Sequence, residues 1–272
     1  MHLSFSKIKT LGIALAASAA LGACSDISTD DRFIEMDEIV PQRTIIIEDF
    51  TGQDCRNCPA AHDVLHKLVE QYGDYVIPVA IHAGGFGVPV EYSYYPDFVF
   101  LMQPEGNTYN DHYNIKQWPM GVVNRRSGAI DPDKWSDAAR NELTRLPEVN
   151  ISLSASYDPV TEKISINTTL MPVSDTKGKL QLWVLEDGIV AEQQLETERI
   201  SDYVHNHVYR ASVNGIWGED VTLSGDKNLE FSHEIQRRDS ETEVWNADNL
   251  YVVAFVYNDS GVLQAARAHV TR

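Results

Sequence analysis

Two of the three cysteines in the chain, Cys55 and Cys58, stand three residues apart in TIIIEDFTGQDCRNCPAAHDVLHKLV, residues 44–69. At that spacing they could be a redox dithiol, half of a metal site, or a structural staple. A bond between them closes almost no loop and would stabilise the fold little. Redox chemistry is the better reason for the pair. The thiolate is the nucleophile in exchange, and the positive end of a helix dipole stabilises it. Arg56 adds positive charge beside the pair and Asp54 removes some. On a helical wheel Cys58 falls nearer the apolar stripe, so Cys55 is expected as the exposed attacking thiol and Cys58 as the shielded resolving one. Asp49, if buried behind them, would take or give the proton that exchange requires; the alternative is a partly solvated acid at a strand end.

Metal binding competes for the same residues. Cys55, Cys58, His62 and His66 lie along one side of the expected helix. At 1.5 Å per residue that helix spreads them over about 16 Å, whereas zinc needs its ligands within roughly 2.3 Å. No metal ligands are therefore assigned, and both histidines are read as residues at the edge of the apolar stripe. The chain carries no cofactor motif either, so any redox activity needs an external electron donor or acceptor.

The third cysteine, Cys24, follows a positive segment with Lys7 and Lys9 and an apolar run from Leu11 to Leu21. That run is shorter than the roughly 20 residues a membrane helix needs, and reads as a secretory signal. Leu21-Gly22-Ala23-Cys24 resembles the lipobox of bacterial lipoproteins, which implies cleavage after residue 23 and acylation of Cys24. Two or more acyl chains give stable anchoring, so the lipid membrane is an expected partner. Residues 24–42, polar and acidic, read as a flexible tether. With Cys24 consumed by lipid, Cys55 and Cys58 have only each other.

The full chain holds 22 basic and 40 acidic residues, a net charge of −18. Removing residues 1–23, which contain Lys7 and Lys9, leaves 20 basic against 40 acidic. Such a surface repels polyanions, and nucleic-acid binding is excluded.

The elements that must hold the pair follow from periodicity. Thr44 to Phe50 reads as a buried strand. A helix follows, with Ala61, Val64, Leu65, Leu68 and Tyr72 at helical spacing and Gly73 as its stop. Tyr75 to His82 reads as a second strand, and residues 83–117 as a long irregular region. Trp118-Pro119 leads into a strand over Met120–Arg125 and a short return at Ala129-Ile130. Asp131 then caps a helix with Pro132 in its first turn, ending at Pro147. Beyond it the period switches to two. Seven short strands are expected, near 151–157, 164–170, 180–186, 205–213, 229–236, 250–257 and 262–270. Tyr203, His205, His207 and Tyr209 are expected on one strand face, as structural or interface residues.

This order resembles the thioredoxin fold at three points: the Cys55–Cys58 pair where a strand passes into a helix, Asp49 six residues earlier, and Pro119 ahead of a strand. The resemblance implies that Pro119 is a cis-proline facing the pair. Two residues depart from active thioredoxins: Asp54 stands where a tryptophan usually precedes the first cysteine, and the bulky Trp118 precedes the proline. The β half, without cysteines, suggests an immunoglobulin-like sandwich. Over nearly its whole length, with FTGQDCRNCP, WPMGVVNR, VLEDG and YVHNHVYRASVNGIWG, the chain resembles the outer-membrane protein 28 family of lipoproteins. That implies an α/β thioredoxin-like domain at 43–147 joined to an all-β immunoglobulin-like domain at 148–272, anchored in the outer membrane.

Three readings follow: a lipid-anchored thiol–disulfide oxidoreductase acting on protein thiols or disulfides, a non-enzymatic binding or adhesion lipoprotein, and a metal-handling protein. The lipobox yields a direct test. Cys24→Ser should abolish incorporation of radiolabelled palmitate and release the protein from the membrane fraction; a wild type that never takes up palmitate overturns the assignment.

Overall fold

The computed structural model describes residues 39–87, 98–235 and 245–272. Cys24, the signal segment and most of the tether lie outside them. Six elements make up the N-terminal half: β1 (Ile45–Thr51), α1 (Cys58–Tyr72), β2 (Val76–His82), α2 (Pro104–His112), β3 (Met120–Val123) and α3 (Trp135–Leu143). The C-terminal half is built of strands. First come β4 (Val149–Asp158), β5 (Lys163–Pro172), β6 (Thr176–Glu186), β7 (Ile189–Gln194) and β8 (Arg199–His205). They are followed by β9 (Val208–Ser212), β10 (Glu219–Leu223), β11 (Lys227–Glu234), β12 (Leu250–Asn258) and β13 (Gly261–Thr271).

Eleven strands join in one mixed sheet, in the order β11-β5-β4-β13-β12-β6-β9-β2-β1-β3, with β10 beside β6. β1 and β2 run parallel, Ile45 opposite Val76, and β3 lies antiparallel to β1 on its other side. The two halves share this sheet through β2 and β9, where Ala80 pairs with Val208. The expected β half therefore does not stand apart as a separate sandwich. β7 and β8 form a hairpin outside the large sheet.

β1 is buried along its full length because both of its faces are covered. Successive side chains of a strand point to opposite faces. Ile45 and Ile47 pack with Ala61, Leu65 and Leu68 of α1 and with Trp135 and Leu143 of α3. Ile46 and Phe50 face the other way, into a core that includes Trp183, Tyr209 and Phe255 of the C-terminal half. The same alternation sends Glu48 toward that second core and Asp49 toward α1.

Glu48 is fully buried, and its carboxylate is held by Arg125 Nη2 at 2.8 Å and Nε at 3.2 Å. The Arg125 guanidinium lies over Tyr257 at 4.5 Å, Phe255 at 4.8 Å and Trp183 at 5.2 Å from the ring centroids. Burial opposes its charge most strongly, but Glu48 together with Tyr113 and Tyr257 more than offsets it and holds the guanidinium above its ordinary value. A second buried group joins the halves where Arg43 pairs with Glu142 and donates to Val262 O at 3.1 Å.

Several elements differ from expectation. The region read as irregular contains α2, whose buried residues are Gly106, Tyr109 and Asn110; PEGNTYNDH has no apolar stripe to announce it. The strand expected over 205–213 is broken between β8 and β9. His207 there has φ +60°, and its amide donates to Asp187 Oδ1 at 2.6 Å. Tyr203, His205, His207 and Tyr209 therefore do not share one strand face. β7, the first part of β8, and β10 were not anticipated.

Removing one partner of a buried ion pair leaves the other charge unpaired, which costs about 3–5 kcal/mol. Arg125→Met should lower stability by about that amount in urea unfolding, and Glu48→Leu combined with it should restore part of the loss. Equal stability of Arg125→Met and wild type would show that the buried pair does not stabilise the fold.

Candidate functional site

β1 delivers the chain into a short loop, Gly52 to Asn57, and α1 begins at Cys58 with Pro59 in its first turn. Cys55 and Cys58 are joined by a disulfide, with Cα atoms 5.4 Å apart. The Cys58 amide also donates to Cys55 O at 3.2 Å. Cys58 is the helix-terminal residue, while Cys55 lies in the loop before it. Cys55, expected as the exposed thiol, is only 3% accessible, and Cys58 is 0%.

The burial of Cys55 has a cause in the C-terminal half. The β7–β8 hairpin lies against the loop and satisfies its backbone. The Gln193 side-chain amide donates to Cys55 O at 3.1 Å and Gly52 O at 3.3 Å. The Gln194 amide donates to Gln53 O at 2.7 Å, and Gln53 Nε2 returns a bond to Glu192 O at 3.2 Å. Arg199 of β8 forms an ion pair with Asp54. Asp54, where thioredoxins carry a tryptophan, is thus engaged by the hairpin.

On its other side the loop meets residues 83–87. A Cβ on Gly52 would lie 2.0 Å from Phe86 O, so the close approach of these two backbones requires glycine. Gly84 has φ +67°, and a Cβ there would lie 2.1 Å from the Trp118 ring. Trp118 also packs edge-on against Phe86, with centroids 5.4 Å apart. The Trp118–Pro119 peptide is cis. A cleft of about 540 Å³ opens between Asn57, Ala60 and Ala61 of the loop and α1 and Trp118 and Pro119 opposite.

Asp49 on β1 is fully buried, and neither carboxylate oxygen has a well-aligned hydrogen bond. Its ion-pair partner is His62 Nε2, 3.4 Å from Oδ2. Burial raises the Asp49 pKa, and His62 opposes that rise. The alternative of a partly solvated strand-end acid does not hold. Deeper still, His82 and His205 pack edge to face with centroids 5.4 Å apart. Burial lowers both, His82 well below its ordinary value and His205 to about 3, so both are neutral at physiological pH.

Of the residues expected at the site, Cys55 and Cys58 come together as a disulfide, Pro119 lines the adjoining cleft, and Asp49 lies beneath α1. His62, read from sequence as a stripe-edge residue, contacts Asp49 instead, and its position four residues after Cys58 was the available signal. His66 pairs loosely with Glu70 on the exposed face. Nothing in the sequence signalled Gln193 or Arg199, because they reach the loop only through tertiary packing. Among the described residues no His, Cys, Asp and Glu group is arranged to hold a metal ion. No helix among them is long and apolar enough to cross a membrane. Neither the 540 Å³ cleft nor a larger one of about 830 Å³, lined by Tyr113, Arg125, Trp217 and Tyr257, has a cysteine in its lining.

Residues 106–272 match the family model described as outer membrane protein Omp28. The chain belongs to the Omp28 family. The match begins inside α2 and covers the hairpin that grips the disulfide loop. It also places the chain among outer membrane proteins. HBP35 of Porphyromonas gingivalis shares the fold of this Omp28 member, with a TM-score of 0.63 and 13% identity over 85% of this chain and 76% of that one. A domain of the outer membrane lipoprotein Omp28 from the same organism is 24% identical over 47% of this chain and 91% of its own, with a TM-score of 0.35. No curated protein matches at a significant level.

The neutral histidines give the site a pH dependence of known sign. A histidine whose folded pKa is depressed costs nothing above its unfolded value of about 6.5, and costs progressively more as pH falls toward the folded value. For His205 that window runs from about 6.5 down to about 3. His205→Gln should therefore lose roughly 2–4 kcal/mol less than wild type across it, read by urea unfolding at each pH. Parallel wild-type and variant curves would show that His205 is not buried neutral.

Proposed function

We propose that this Omp28 family member is a thiol–disulfide oxidoreductase held at the outer membrane by lipid on Cys24. In this reading residues 43–147 form a thioredoxin-like part that carries the chemistry, and residues 148–272 an immunoglobulin-like part that supplies the hairpin. Cys55 and Cys58 exchange with protein thiols or disulfides, Asp49 handles the proton, and Pro119 borders the partner groove. The observation that carries the reading is the disulfide at the start of α1, next to a cleft that Asn57 and Pro119 line, with a fully buried acid on the strand that leads into it.

The geometry suits attack on the oxidised pair. A partner thiolate attacks Cys55 Sγ, a mixed disulfide forms, and Cys58 leaves as thiolate. Cys58 is the first residue of α1, where unpaired backbone amides and the dipole favour negative charge. Burial favours the protonated form of Asp49, which can hand its proton to the departing sulfur. A second partner thiol then attacks the partner sulfur, and Cys55 leaves as thiolate. The partner gains a disulfide and the pair becomes two thiols.

One observation favours a second reading. Both sulfurs are almost inaccessible and the loop is gripped by β7–β8, as suits a structural disulfide in a non-enzymatic binding lipoprotein. Trapping separates the two. A mixed disulfide persists when the resolving cysteine is missing. Cys58→Ser should accumulate reducible adducts with partner proteins through Cys55, and Cys55→Ser few or none, on non-reducing gels of acid-quenched, alkylated cells. If neither variant forms adducts and the reduced pair alkylates no faster than an ordinary exposed thiol, the binding reading stands instead.

A further inference from the structure

The chemistry above leaves one neighbour of Asp49 unused. His62 Nε2 lies 3.4 Å from Asp49 Oδ2 and 3.1 Å from Thr51 Oγ1. Its Nδ1 lies 2.9 Å from the Tyr203 hydroxyl on β8. Asp49 has no exposed surface, whereas the His62 side chain is 22% exposed, and both line a cavity of about 210 Å³ together with Tyr203, Asp63 and His66. A buried carboxyl that loads and unloads a proton in every exchange cycle needs a path to solvent. The imidazole provides one, because it can accept a proton at one nitrogen and release another from the second.

We infer that His62 is the positioning residue through which Asp49 exchanges its proton with solvent, with Tyr203 of the C-terminal half fixing the ring. This rests on the oxidoreductase reading and adds a proton route to it. In the oxidising direction Cys55 thiolate attacks a partner disulfide, a bond forms between Cys55 and one partner sulfur, and the other partner sulfur leaves as thiolate. Cys58 then gives its proton to Asp49 and attacks Cys55 Sγ. The Cys55–Cys58 bond forms and the second partner sulfur leaves as thiolate. Two cysteine thiols are oxidised and the partner's disulfide is reduced. The proton on Asp49 passes to His62 Nε2 as the Nδ1 proton passes to the Tyr203 hydroxyl, which releases its own proton to the cavity and stays neutral.

The surroundings allow this role. Burial pushes the Tyr203 hydroxyl up to about 12, so it orients the ring as a neutral group and does not compete as a base. The titratable groups around His62 are Asp49 on β1, Asp63 and His66 on α1, His82 on β2, and Tyr203 and His205 on β8, with His207 just beyond. His82 and His205 stay neutral and take no proton from the route at physiological pH.

The test follows the two exchange steps separately in the full-length protein, with oxidised glutathione as the partner disulfide, from about pH 5 to about pH 9. For His62→Gln the second step, closure of the Cys55–Cys58 bond, should slow at least about tenfold near neutral pH. Its pH profile should move to higher pH, because Asp49 loses the group that opposes its raised pKa. The first step, attack by Cys55, should change less than about twofold. Tyr203→Phe removes only a hydroxyl from a folded site and should move the second step in the same direction by less. A second-step profile that overlays wild type in both variants overturns the inference while leaving the oxidoreductase reading intact. Equal slowing of both steps without a profile shift would mean that His62 is merely structural, and also overturns it. A wild-type pair that forms no mixed disulfide with glutathione at any pH removes the oxidoreductase reading, and the relay with it.

Discussion

A buried carbonyl must find a donor, and the loop that carries the cysteines has several such carbonyls. Gln53 O receives its hydrogen bond from the Gln194 amide of β7, and Gly52 O and Cys55 O, already bonded by the Cys55 and Cys58 amides, each take a second bond from the Gln193 side chain. This one constraint governs much of the rest. The hairpin has to sit on the loop, which draws Tyr203 toward His62 and His205 toward His82. The strand after the hairpin, β9, then falls beside β2. The cysteine loop and the β half are therefore parts of one structure, and the sharing of the sheet expresses that dependence.

Much of the first half was legible in sequence. β1, α1 and β2 are strongly apolar with clear periods, and Cys55, Cys58, Asp49 and Pro119 have fixed offsets from those elements. The period of two also disclosed β4, β5, β12 and β13, whose alternating or continuous apolar runs are long. The failures share a cause. IVAEQQ and RISDYVH mix polar and apolar residues without period, because the hairpin buries glutamines against a loop and not leucines against a core. The histidine run was read as one face because alternation was extrapolated through a left-handed residue, which nothing in the local composition announced.

The same tertiary contacts explain why the expected exposure of Cys55 was wrong. A helical wheel compares residues of one helix and cannot include a hairpin from 138 residues further along the chain, the separation of Cys55 and Gln193. The nearby cleft is lined by Asn57, Trp118 and Pro119, and the ring of Trp118 there leans on Gly84.

The single bridge between β2 and β9 bears on how the chain matures. A strand whose neighbour lies more than a hundred residues downstream waits with an open edge, and open edges invite pairing with other chains. A chain made from its N-terminus has residues 45–82 available long before residues 189–212 emerge. During that interval the edge of β2 is bare and the cysteine loop lacks its glutamine donors. The sulfurs are then more open to small oxidants than in the finished protein.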